Sequence, residues 1–388
     1  MTKADRWVGG IIVAARTRRP WLRITVPRWL ARILIAGGAQ RAPDPDAMHQ
    51  RYPTIPPDNE TPAALPYDLK IHTASIHTAE PNSAARQRWL TQLEKELGTD
   101  HEDVIAAREH VATALETDGR LREAIALRRR ILADRERTLG TEDRATITAS
   151  NNLAHVFEAA GQTQAAIVLF AHTLRTSERV LGPDDAVTLT LRNNLGSAYE
   201  SDGRLHEAIA LLQLALADRT RILGGDHPDT LNTQNNLAYA YASSRQLDEA
   251  IKLYRQTIAA REAVLGPYHR DTLNSRYNLA TALSLSGALE EAIAAHQQTL
   301  IDRELRLGPN HPDVITSHYG LAIALQKARH LPEAVVSLRK AYALSLVVLG
   351  PDHPHSRLIF QALRDAITEL SAPQRTLQAR LVEPDNHT

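Results

Sequence analysis

The chain has no cysteine in 388 residues. That excludes disulfides, thiol catalysis and cysteine-ligated zinc, and it fits a reducing compartment. A cytoplasmic location is therefore expected. Aromatic residues make up only 4% of the chain, and all four Trp (Trp7, Trp21, Trp29, Trp89) fall before residue 90. The remainder has to build its core from aliphatic side chains and Ala. Neither charge is in excess, with 45 Lys and Arg against 45 Asp and Glu. A neutral chain offers nucleic acid no electrostatic purchase. Long apolar runs are missing too. VGGIIVAA at 8–15 and WLARILIAGG at 29–38 fall short of the ~20 residues a spanning helix needs. There is no Walker A motif, G-x-S-x-G, H-E-x-x-H or Gly-rich dinucleotide fingerprint. No enzymatic activity and no cofactor are expected.

What the chain has is a strict repeat. Leu97-Gly98 returns at Leu139-Gly140, Leu181-Gly182, Leu223-Gly224, Leu265-Gly266, Leu307-Gly308 and Leu349-Gly350, always 42 residues on. A fixed period of this length predicts a stacked array. Such an array presents a long surface rather than a closed pocket, so binding is the default reading.

Other columns keep the same step. Ala124, Ala166, Ala208, Ala250, Ala292 and Ala334 are identical, and each is followed by Ile or Val. Thirteen residues earlier stands an aliphatic (Val111, Leu153, Leu195, Leu237, Leu279, Leu321), then a small residue (Ala112, Ala154, Gly196, Ala238, Ala280, Ala322). Four after the aliphatic comes Leu115, Phe157, Tyr199, Tyr241, Leu283 or Leu325. This is helical spacing, not strand alternation. Gly119, Gly161, Gly203 and Gly287 punctuate the middle of a copy, and Arg245 and Arg329 fill that slot elsewhere. Each copy is thus predicted to hold helix A (about 103–118 in the first) and helix B (about 121–138). Small residues in both helices let the two approach closely.

The series Leu153, Ala154, Phe157, Gly161, Ala166, Phe170 resembles the tetratricopeptide repeat. The 42-residue length, NNLAYAYASSRQLDEAIKLY (235–254) and LGPDHP (349–354) resemble more specifically the kinesin light chain type. The resemblance covers about 84–370 and implies an all-α, right-handed α-solenoid of antiparallel helix pairs. It also implies a protein or peptide partner held in the concave groove, which helix A lines. It does not identify that partner.

Outside the six copies (98–353) the composition changes. Residues 1–41 carry Lys3, Arg6, Arg16, Arg18, Arg19, Arg23, Arg28, Arg32 and Arg41 against Asp5 alone, a basic, Trp-containing leader. A secretory signal fits it badly, and peripheral contact with an anionic membrane is an alternative to a plain leader. Met48 is the only other Met and a candidate start. Residues 42–83 hold eight prolines and read as a linker. Residues 84–97 align with a helix B, placing Trp89 in the Ile131 column, and read as a half-repeat cap. Residues 354–370 read as a capping helix, because Arg364 takes the small-residue position, and 371–388 as a loose tail.

The candidate site residues lie on helix A. One column is Asn152, Asn194, Asn236, Asn278, and its neighbour is Asn151, Asn193, Asn235. Asn is a poor mid-helix residue, so its recurrence needs a cause. The resemblance implies that such amides hydrogen-bond a ligand backbone; the alternative is that they tie neighbouring copies together. A second column, Glu116, Glu158 and Glu200, lies seven positions on and makes the N-terminal half of the groove acidic, as for a ligand with basic residues at one end. Kinesin light chains, whose cargo motifs are acidic, would differ here. His101, His227, His269, His311 and His353 recur one per copy, too far apart in sequence to read as a metal site, and are taken as structural or solvated. Arg135, Arg219, Arg261 and Arg303 are expected on the outer side of helix B, paired with nearby acids. The expected function is a non-enzymatic adaptor. Its rivals are a membrane-surface tether through residues 1–41 and a sensor module beside a separate nucleotide-binding partner.

Overall fold

The computed structural model describes residues 83–382. The expectations for residues 1–41 and for nearly all of 42–83 lie outside the described residues. Every regular element among those described is a helix. A first helix, α1 (Ser83–Leu97), precedes six pairs: α2 (Glu102–Thr117) with α3 (Leu121–Leu139), α4 (Arg144–Ala159) with α5 (Thr163–Val180), α6 (Ala186–Ser201) with α7 (Leu205–Leu223), α8 (Pro228–Ser243) with α9 (Leu247–Val264), α10 (Arg270–Ser286) with α11 (Leu289–Leu307), and α12 (Pro312–Lys327) with α13 (Leu331–Val348). The last helix, α14 (Pro354–Val382), runs past the boundary at 370 that the sequence suggested.

The loop histidines have a structural task. Each A helix of the six pairs is preceded by an extended residue whose side chain accepts a hydrogen bond from the amide two positions on. His101, His227, His269 and His311 do this through Nδ1 at 3.1–3.2 Å, and Asp143 and Asp185 through a carboxylate oxygen at 2.8–2.9 Å. His353 does the same for α14. One of the orphan amides of each helix start is thereby satisfied.

The turn between A and B is left-handed. Gly203 has φ +78, and Arg245 and Arg329 adopt φ 66 and 64 in the same slot. Across that turn Arg204 N donates to Tyr199 O and Gln246 N to Tyr241 O, both at 2.9 Å, so the geometry persists whichever residue occupies it.

Consecutive helices pack on one another along the whole array. The A helices α4, α6, α8 and α10 each also approach the next A helix, whereas no B helix approaches the next B helix as closely. The A helices therefore form the inner, tighter face. The six Ala of the Ala124 column are fully buried. At Gly196, which holds the small position in its copy, an added Cβ would lie 2.7 Å from Leu212 Cγ. Trp89 of α1 packs against the first apolar cluster of the stack.

Buried arginines staple the helices with a longer period. Arg108, fully buried, bonds Glu94 on the B helix before it and Asp134 on its own B helix. Arg192 repeats this with Glu178 and Asp218, and Arg276 with Glu262 and Asp302. All three triads are spaced by two copies. The alternate copies carry Ser150, Gln234 and His318 instead. B helices alternate in step, α3, α7 and α11 having 19 residues and α5, α9 and α13 having 18. A longer period of two copies is thus superposed on the 42-residue repeat.

Candidate functional site

The inner face carries both predicted columns. The Asn residues link copies to one another. Asn194 Nδ2 donates to Asn151 Oδ1 at 3.0 Å, and Asn236 Nδ2 donates to Asn193 Oδ1 at 3.2 Å and to Ser197 Oγ at 3.3 Å. Within a copy, Asn151 donates to Asn152 and Asn193 to Asn194 at 3.3–3.4 Å. Asn235 accepts from Ser275 Oγ at 2.8 Å, which carries the chain of contacts one copy further. Asn278 makes no side-chain hydrogen bond among the described residues. The neighbouring column there becomes aromatic. Tyr277 and Tyr319 stand where Asn151 stood, and the Tyr277 ring occupies the space beside Gly320, where a Cβ would meet it at 2.8 Å. The ring also stacks edge-on against the buried His296 at 5.3 Å. Burial and the nearby Arg303 push the His296 pKa down to about 4, so the ring is neutral.

The Glu column divides in two. Glu116 accepts from Arg128 Nε at 2.8 Å. Glu158 and Glu200 form no ion pair among the described residues. They accept only hydroxyls from the next copy, Ser201 Oγ at 3.4 Å and Ser243 Oγ at 2.6 Å. Burial pushes the Glu158 carboxyl above the usual range, and the neighbouring Glu200 charge adds to this, opposed by His155 and the Ser201 hydroxyl. The inner face therefore grades from amide and carboxylate at α4 and α6 to tyrosine at α10 and α12, with Tyr239 of α8, 48% exposed, at the transition.

The helix-B arginines need correction. Arg135 is half-buried and pairs with the exposed Glu102 at 2.8 Å, the expected pairing with an acid. Arg219, Arg261 and Arg303 are instead buried, each 3–4% exposed, and bond no carboxylate. Arg261 donates to Asp271 O at 2.7 Å, to Ser275 Oγ at 2.8 Å and to Asn232 Oδ1 at 2.5 Å. Arg303 does the same with Asp313 O, Ser317 Oγ and Asn274 Oδ1, and Arg219 with Asp229 O, Thr233 Oγ1 and Thr190 Oγ1. Each side chain joins its own A helix to the next. A hydroxyl fourteen residues after the Arg is the sequence signal: Thr233, Ser275 and Ser317 follow the three buried arginines, and Ala149 follows the half-buried Arg135.

No group of three or more His, Asp or Glu able to hold a metal occurs among the described residues. Nor is any helix among them long and apolar enough to cross a membrane.

Helix pairs of fixed length, stacked by small residues and presenting a ladder of polar and aromatic side chains along the inner face, define a repeat solenoid of the protein-interaction class. Models of the tetratricopeptide repeat match residues 103–179, 145–219, 187–263, 234–300 and 319–355. The chain belongs to the tetratricopeptide repeat family. A putative kinesin light chain from Podosopora anserina, with nearly identical TPR-like repeats, is 28% identical, with coverage of 52% of this chain and 95% of that one and a TM-score of 0.45. BtubC (BKLC) from P. vanneervenii is 19% identical over 60% of this chain and 94% of its own, with a TM-score of 0.50. The apo form of RapI is 14% identical over 70% and 94%, with a TM-score of 0.53. The last two show likeness of fold alone. No curated protein matches the chain. Arrays of this family are in general non-enzymatic scaffolds for protein–protein interaction.

Proposed function

We propose that the chain is an adaptor that holds an extended peptide segment or a helix of a partner protein along the inner face of its A helices. The observation that carries this is the amide ladder from Asn151 through Asn194, Asn193 and Asn236. A side-chain amide has two N–H donors and an oxygen with two lone pairs. The ladder uses part of that capacity and fixes the side chains in place, leaving the rest for a ligand backbone. Bracing the scaffold and meeting a ligand are thus compatible roles, and the first lowers the ordering cost of the second.

The test is partner capture by the full chain, compared with the Asn194→Ala/Asn236→Ala double variant and followed by titration of the captured partner. Affinity should fall by about one order of magnitude or more, since two amide sites are removed. A captured partner that binds both proteins equally would end the groove reading.

A further inference from the structure

The first copy shows what the Glu column accepts. Arg128, 6% exposed, lies with its guanidinium among three side chains of α2: Nε donates to Glu116 at 2.8 Å, Nη2 donates to Thr113 Oγ1 at 3.1 Å, and Nη1 bonds Glu109. Glu109, Thr113 and Glu116 are spaced i, i+4 and i+7, so they share one helical face. The same face in the second copy is Asn151, His155 and Glu158, and in the third it is Asn193, Ser197 and Glu200. The carboxylate column is retained in both. The arginine is not, since its column holds Phe170 and then Leu212, both fully buried.

Glu158 and Glu200 are therefore half-buried carboxylates without the arginine that neutralises Glu116, and the exposed His155 is the positive influence on Glu158. They also lie close enough to repel each other. A second, independent feature faces the same place from α9. Tyr254 is 1% exposed, its hydroxyl bonds no group among the described residues, and it lies within electrostatic reach of Tyr239 and Glu200. The Tyr254 hydroxyl oxygen is not among the buried polar atoms that lack a partner, so the little exposure the residue has leaves that oxygen within reach of a ligand group.

We propose that the inner face at α4, α6 and α8 is a receptor for an arginine side chain of the partner. The guanidinium would be held by Glu158 and Glu200, flanked by Asn193 and Ser197, with the Tyr254 and Tyr239 hydroxyls at its edge. This takes from outside the group that Arg128 supplies internally one or two copies earlier. A guanidinium suits the site because its planar fork offers several donors at fixed angles to two carboxylates, and charge-assisted bonds of this kind are the stronger ones. The inference rests on the groove reading above and assigns it a ligand chemistry.

The full chain is screened against a phage-displayed library of random twelve-residue peptides, and the enriched sequences are synthesised. We expect them to carry Arg. Affinity should fall about tenfold or more for the Glu158→Gln/Glu200→Gln variant. Exchanging the peptide's Arg for citrulline should cost as much against the parent and little against that variant. The variant should melt no lower than the parent, because it removes an uncompensated charge. Peptides without a cationic residue, or equal affinity for parent and Gln variant, overturn the arginine receptor. If such peptides still lose binding on Asn194→Ala/Asn236→Ala, the groove reading survives that failure. Binding indifferent to both variants, or a library that yields no binder, removes both.

Discussion

Asn194 donates its side-chain amide to Asn151 at 3.0 Å, across the boundary between two copies and 43 positions along the chain. A 43-residue contact within a 42-residue repeat requires adjacent residues of one type in each copy, which is why Asn comes in pairs. Replacing Asn194 and Asn236 by Ala removes three inter-copy bonds. At ~0.5–1.5 kcal/mol per bond the double variant should lose ~1–3 kcal/mol of stability, read from a denaturant midpoint. An unchanged midpoint would mean that the ladder does not brace the array.

Arg245 occupies a left-handed turn that four other copies assign to Gly. The cost of φ 66 for a residue with a Cβ is ~1–2 kcal/mol, partly offset by the greater entropy that Gly loses on folding. Arg245→Gly should therefore raise stability by ~0.5–1 kcal/mol. The reverse probe is Gly203→Ala. An added Cβ there meets nothing within 4 Å, so any loss is backbone strain alone. A gain from Arg245→Gly without a loss from Gly203→Ala would contradict this account.

Arg261 satisfies a carbonyl, a hydroxyl and an amide oxygen on two A helices. Burial lowers its pKa, with the Asp271 charge opposing that shift. Truncation to Ala leaves those acceptors unpaired beside a cavity. We expect a loss of ~2–4 kcal/mol and increased amide exchange where α8, α9 and α10 meet. Arg135→Ala, which removes an ion pair whose acid, Glu102, is exposed, should cost less than Arg261→Ala, on the order of 1 kcal/mol. Equal effects would place the two arginines in one class after all.

The 42-residue frame, the helix pairs and the close-packed Ala column are legible in the sequence because the same residue type stands there in every copy. What was hidden depends on columns that are filled intermittently. Arg108, Arg192 and Arg276 partner acids in alternate copies, so their period is two repeats long and the intervening Ser150, Gln234 and His318 mask it. Arg219, Arg261 and Arg303 read as surface residues because arginine is seldom buried without a carboxylate. Their carbonyl partners leave no trace in side-chain identity; only the hydroxyls at fourteen residues on betray them. The Asn and Glu columns were legible as positions. That Glu116 differs from Glu158 and Glu200 could not be read from the Glu column alone, because the difference lies in Arg128, Phe170 and Leu212 on another helix.

Packing at the small-residue column admits a sharper probe than the Ala column. Ala208→Leu should overpack the stack and cost ~1–3 kcal/mol. Gly196→Ala adds a single methyl and, on helix propensity alone, would gain up to ~1 kcal/mol. Its Cβ would lie 2.7 Å from Leu212 Cγ and 2.9 Å from Leu212 Cδ2, however, so the side chain that fills this copy must shift. We expect a net loss, relieved when Leu212 is shortened to Ala in the same chain. A double variant no better than the sum of its parts would show that Leu212 is not what excludes the methyl.

Glu158 links stability to pH with a sign opposite to that of most carboxylates. Burial raises its pKa in the folded chain, so the fold binds this proton more tightly than the unfolded chain does. The linked stability is fully present below the ordinary carboxylate range and is lost as pH rises through the raised value. Near neutral pH the ionised side chain therefore weakens the array. Glu158→Gln keeps an oxygen that can accept from Ser201 and removes the charge. It should be more stable than the parent near pH 7, and the two should converge at about pH 4 or below, where Glu158 is protonated in both states. Denaturant midpoints across that range check this. A Gln variant less stable near pH 7, with the gap closing in acid, would mean that the folded chain already supplies Glu158 with a cation, and the receptor role assigned to it would fall with that result.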